Sequence, residues 1–164
     1  MIVNINSSRG AGKLTKYGKQ LIAQQMYKKG RGYIFAALLL KKQEVFGSVV
    51  TQLLLHGLEN ILKGGLLLAD YEKYKPLLKY SKKKADSIGH NLEKAFSHFE
   101  VEFHKIKRGK KFDSEIKELN KYYQQHFLRY GGLADIFLSL DSLKHNWTFK
   151  MAYKIITLLD KKRS

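Results

Sequence analysis

LLLHGLENILKGGLLL (53–68) is the stretch whose reading decides the fold. With Val45 and Val49 upstream, Leu53, Leu54, Leu58, Ile61 and Leu62 recur every three to four residues. That is the stripe of a helix turned toward a core, and it predicts a helix over 44–69. Glu59 and Lys63 stand four apart, in the better orientation for a surface ion pair. Gly64-Gly65 lies near the end of the stripe, where glycine commonly closes a helix.

The flanking chain is helical in character too. A single proline (Pro76) in 164 residues, with abundant Leu, Lys, Ala and Gln, predicts an all-α protein. A first helical region covers 13–42, with GRG (30–32) the place where it would break. Residues 70–86, rich in Tyr and Lys, read as a connection. SIGHNLEKAF (87–96) then starts a third helix over roughly 88–104, capped by Asp86 or Ser87. Its stripe is Leu92, Ala95, Phe96, Phe99 and Phe103, although FEVEF (99–103) also alternates with period two, the pattern of an extended end. KRGKKFD (107–113) reads as a loop, with Asp113 or Ser114 capping a fourth helix that runs through IKELNKYYQQHFLRY and stops at Gly131-Gly132. A last helical region spans about 133–160, split near Asp141-Ser142. The expected architecture is a single-domain bundle of four to five helices with an up-down core over 13–164, preceded by a flexible basic arm, 1–12.

At 44% hydrophobic residues the chain can bury one sizeable core, and no apolar run reaches the length of a membrane span. Cysteine is absent, which excludes a disulfide framework and leaves the cytoplasm as the default compartment. Charge is the dominant global feature. Thirty-one Lys and Arg against 14 Asp and Glu give a formal +17, and residues 1–43 hold nine basic side chains and no acid. Such a field draws polyanions through counterion release. The plainer alternative is a set of solvated faces decorated with lysine, since only five of the basic residues are Arg.

Motifs for chemistry are sparse. GAGKLT (10–15) lacks the first glycine and the hydroxyl residue of a phosphate loop. Six histidines (His56, His90, His98, His104, His126, His145) include no HExxH pair, so neither a metal site nor a cofactor is expected. In the fourth helix, Lys121, Tyr122, Tyr123, His126, Arg129 and Tyr130 make an aromatic-basic group. Tyr122, His126, Arg129 and Tyr130, at offsets of zero, four, seven and eight, share one face suited to stacking a base beside its phosphate. The competing assignment packs Tyr123 and Phe127 in the core and solvates the rest. Trp147, within HNWTFKMAYK (145–154), reads as a buried anchor. In SIGHNLEKAF, Gly89 permits a tight entry, and His90 or Asn91 satisfies free backbone amides while Glu93 complements the positive end of the helix. Otherwise His90 and Asn91 face a groove and touch a ligand.

LLLHGLENILKGGLLL, SIGHNLEKAF and LNKYYQQHFLRYGG (119–132), in that order, resemble HEPN domains, the higher eukaryotes and prokaryotes nucleotide-binding family. The resemblance covers about 33–132 and implies a helical bundle, a homodimer, binding of nucleotide or RNA, and a place in a toxin–antitoxin or phage-defence system. Ribonuclease members are metal-independent and use an Arg separated from a His by four to six residues. No Arg of this chain has that partner; only Lys84 to His90 and Lys121 to His126 come near. The first expectation is therefore a noncatalytic module binding nucleotide or RNA through Tyr122, His126, Arg129, Tyr130, His90 and Asn91. The alternatives are a diverged endoribonuclease using His126 with Lys121 or Arg129, and a helical interaction module that binds an acidic protein partner.

Overall fold

The computed structural model describes residues 14–43, 47–79, 81, 85–124 and 144–161. Among these every regular element is helical: α1 (Lys16–Lys42), α2 (Gly47–Ala69), a short α3 (Tyr71–Tyr74) leading into a 3-10 turn (Lys75–Leu77), α4 (Leu92–Glu102), α5 (Lys110–Gln124) and α6 (Asn146–Lys161). The expected all-α bundle is what forms. No described helix is long and apolar enough to cross a membrane. The arm 1–12, Val45, the stop at Gly131-Gly132 and the split near Asp141-Ser142 lie outside the described residues.

α2 is the central helix. Leu54, Leu55, Leu58, Ile61, Leu62 and Leu66 are all fully buried, and every residue from Ile61 to Leu67 is inside. α1 runs antiparallel beside it, since Tyr27 lies against Gly64, Gly30 against Ile61 and Ile34 against Gly57. Glycine makes that approach possible. A Cβ on Gly30 would stand 2.7 Å from the Gly57 carbonyl oxygen, and one on Gly64 would stand 2.7 Å from the Tyr27 amide nitrogen. GRG is thus a contact inside one continuous helix rather than a break, and Gly64-Gly65 does not close α2, which continues to Ala69. Val49, at the open end of the expected stripe, is exposed.

α4 and α6 cover α2 from other sides, while α5 packs on α4 and α6 and reaches α2 through Tyr123. α4 contributes Leu92, Ala95, Phe96 and Phe99, α5 contributes Ile116, Leu119 and Tyr123, and α6 contributes Met151, Ala152, Ile155, Ile156 and Leu159. α6 is also tied to α1: the Tyr27 hydroxyl donates to Asp160 Oδ1 at 2.7 Å, and Arg31 pairs with the same carboxylate at 3.3 Å.

Two helix starts differ from expectation, each for a local reason. α4 begins at Leu92 with Asn91 as its cap, its side-chain oxygen accepting from the Lys94 amide at 3.0 Å. Ser87 has another use: its hydroxyl accepts from the Ser81 amide and donates to the Ser81 carbonyl, closing the preceding loop. FEVEF stays helical to Glu102. α5 begins at Lys110, before Asp113, because the Asp113 amide already bonds the Gly109 carbonyl at 3.0 Å. The Asp113 carboxylate instead pairs with Lys117 at 3.0 Å and Arg108 at 3.5 Å. Within the connection 70–86, Asp70 caps α3 through the Lys73 amide, and Pro76 sits in the opening positions of the 3-10 turn, where a missing amide proton costs nothing.

Candidate functional site

The helical register that turns Leu55, Leu58 and Leu62 inward carries Glu59 and Lys63 with them. Glu59 is 5% exposed and Lys63 7%, so the expected surface pair is an internal one. Lys63 Nζ donates to Glu59 Oε1 at 2.6 Å. The Tyr123 hydroxyl, reaching in from α5, donates to Oε2. His90, from the turn before α4, places Nδ1 3.0 Å from Oε1 and 3.3 Å from Oε2. An ionised carboxylate only accepts, so Nδ1 carries the proton in this contact. His56, one turn earlier on α2, lies with Nδ1 3.3 Å from the Tyr123 hydroxyl and its ring against Tyr33 of α1.

One carboxylate thus gathers three donors from α2, α5 and the α4 entry. Burial by itself would raise the Glu59 carboxyl, but the Lys63 ammonium, the Tyr123 hydroxyl and His90 outweigh it and hold it below the ordinary carboxylate value. Glu59 is therefore an anion at neutral pH, well shielded from water.

A second polar group fixes the turn that delivers His90. Gly89 has φ 53, a left-handed conformation that glycine adopts without strain. Asn91 caps α4, and the buried Asn120 of α5 secures both residues around it. Asn120 Oδ1 accepts the Leu92 amide at 3.0 Å, and its amide nitrogen donates to Glu93 Oε1 at 2.9 Å and Asn91 Oδ1 at 3.3 Å. Of the two polar residues expected to satisfy helix amides, Asn91 does so, and His90 turns to Glu59 instead. Its imidazole remains 41% exposed, edge-on to Tyr123 with ring centroids 6.4 Å apart.

The structure therefore brings His90 and Asn91 to the C-terminal part of α5. Lys121, exposed, and Tyr122, half-buried against the core, are chain neighbours of the residues that hold them. His126, Arg129 and Tyr130, together with Phe127 and Lys84, lie outside the described residues. Sequence reasoning missed Glu59, Lys63, His56 and Asn120, and took Tyr123 only as core. One signal was present: Glu59 falls four residues after Leu55 and three before Leu62, on the apolar face itself.

Trp147 also departs from expectation, at 38% exposed rather than buried. Thr148, its neighbour in the first turn of α6, takes the inward position. The buried Glu115 of α5 accepts from the Thr148 hydroxyl at 2.6 Å, the Thr148 amide at 2.7 Å and the Trp147 amide at 3.2 Å. With its backbone so anchored, the indole projects away from the core, with Lys150 Nζ 4.3 Å and Lys111 Nζ 5.2 Å from its ring centroid. No family model, curated protein or solved structure matches the chain.

Proposed function

We propose that this chain is a basic, HEPN-like helical module that binds RNA or nucleotide. The observation that supports the reading is how charge is disposed. Several carboxylates are paired within the chain: Glu59 with Lys63, Glu72 with Lys19, Glu100 with Arg108, Glu102 with Lys73, and Asp160 with Arg31. Glu115 and Asp70 cap helices. Lysines such as Lys28, Lys29, Lys107, Lys121 and Lys154 stand exposed, so much positive charge among the described residues is presented at the surface. A lysine surface of this kind binds a phosphate backbone by releasing its counterions. The homodimer and the toxin–antitoxin or phage-defence setting belong to this reading through the family resemblance. The test is fluorescence anisotropy of labelled single-stranded RNA across a salt series. Affinity falling steeply with salt is the expected result, whereas no binding at low salt, with capture of an acidic protein instead, turns the reading to a protein partner.

A second reading, metal-independent RNA cleavage, is favoured by one observation: a half-exposed His90 held through Nδ1 by a buried carboxylate, the arrangement that orients a histidine for proton transfer. In that reaction the deprotonated 2′-hydroxyl attacks the neighbouring phosphorus and the P–O5′ bond breaks, leaving a 2′,3′-cyclic phosphate and a 5′-hydroxyl. End-labelled RNA incubated with the protein in EDTA decides it. Cleavage by the wild type that is lost in His90→Ala or His126→Ala supports the enzyme, and intact RNA removes it.

A further inference from the structure

We infer that the cleft between α5 and α6 is a nucleotide subsite, in which Trp147 stacks on a base and the surrounding lysines hold the adjoining phosphate. The inference rests on the reading of the chain as an RNA- or nucleotide-binding module and gives that reading a place and named residues. The cleft has a volume of about 370 Å³, within the range of roughly 300–1,000 Å³ common for ligand sites. Lys110, Lys111 and Lys144 line it beside Trp147, and Lys150 approaches the same ring from α6.

Three features set this cleft apart from an ordinary solvated face. First, the indole is exposed although the main chain of Trp147 and Thr148 is tied to the buried Glu115. A platform that is rigid in its main chain and open at its ring loses little entropy on binding. Second, Lys110, Lys111, Lys144 and Lys150 make no ion pair with a carboxylate among the described residues. The ammonium groups of Lys111 and Lys150 meet the Trp147 ring, an attraction of modest strength at an exposed site, and can exchange it for phosphate oxygens. Third, the two acids at the cleft differ in use. Glu115 is consumed by the α6 amides and offsets the helix end, so the positive field comes from the lysines. Glu118, at the edge with Ser114, is left to accept from a base amino group or a ribose hydroxyl. Aromatic face, phosphate-binding cations and an edge acceptor together match one nucleotide unit, whether free or within a single strand.

Trp147 is the only tryptophan in the chain, so its fluorescence reports this cleft alone. The experiment titrates the full chain with a short oligouridylate and, in parallel, with uridine monophosphate. Trp147 emission is read alongside the anisotropy of the same oligomer carrying a fluorescein label. The expected result is quenching that saturates with the anisotropy. Trp147→Ala should weaken the labelled oligomer by roughly 5- to 150-fold, the loss that one base–aromatic stack produces. Trp147→Phe, which keeps a ring, should retain most of the affinity, and Lys111→Gln with Lys150→Gln should lose affinity and flatten the salt dependence. Equal quenching by the monophosphate assigns the cleft to free nucleotide, and quenching by the oligomer alone assigns it to a strand. Anisotropy without quenching, and unchanged by these substitutions, overturns the subsite while the module's binding to RNA stands. An anisotropy that never rises at low salt removes both.

Discussion

At the scale of single residues, Glu59 is a buried carboxylate held by Lys63, Tyr123 and His90. It cannot be exchanged for its neutral isostere without stranding the Lys63 ammonium inside the protein. Glu59→Gln should therefore destabilise the fold by about 3–5 kcal/mol at neutral pH, read by urea unfolding. The pH dependence has a definite sign. The folded Glu59 carboxyl sits below its ordinary value, so its contribution is fully present above about pH 4.3 and is lost as pH falls through the folded value. The gap between wild type and Glu59→Gln should narrow as the buffer is made acidic. A gap that is constant with pH would mean that the carboxylate's charge is not what holds the network. His90 depends on the same anchor, so any activity that needs its orientation should fall in Glu59→Gln while the α4 cap, which is Asn91, stays in place.

At the scale of elements, the α1–α2 crossing is governed by the size of one atom. A methyl at Gly57 would come 2.6 Å from Ile34 Cγ1 and 2.9 Å from the Gly30 carbonyl oxygen. Gly57→Ala should cost about 1–3 kcal/mol, as overpacking does in a close contact. Gly32, two residues from Gly30 on the exposed side of α1, would meet nothing within 4 Å. There Gly32→Ala should stabilise by roughly 0.5–1 kcal/mol, through the lower entropy cost of alanine in a helix. Thermal melts of the two variants should move in opposite directions. Movement in the same direction would contradict the described crossing. Gly30 and Gly32, both in GRG, read alike as a helix break in the sequence, and only their angular position on α1 separates them.

At the scale of the whole molecule, the ledger is one of charge. Most named carboxylates have a partner close by, whereas exposed lysines repel one another across the surface. Added monovalent salt should therefore raise the melting temperature by screening that repulsion, while it weakens RNA binding over the same range. Calorimetry and anisotropy on one salt series test the pair. A melting temperature indifferent to salt would show that the positive charge is compensated locally and would remove the main support for a polyanion ligand.

What the sequence by itself determined is the helical class, the stripe that became α2 and the excess of positive charge. These are local properties: a 3.6-residue period shows which side chains share a face, and composition shows the sign of the field. What only the tertiary structure decided is how many faces of each helix are covered. α2 is enclosed by α1, α4 and α6, and Tyr123 of α5 closes over Glu59, so Glu59 and Lys63, spaced like a surface pair, are interior. α6 begins at a carboxylate supplied by α5, so Thr148 turns in and Trp147, which its size alone would bury, turns out. Asn91 rather than Ser87 starts α4, since Ser87 is occupied with Ser81 and Asn120 waits across the bundle. Each of these outcomes depends on a partner 6 to 64 positions away in the chain, a separation that no local pattern encodes.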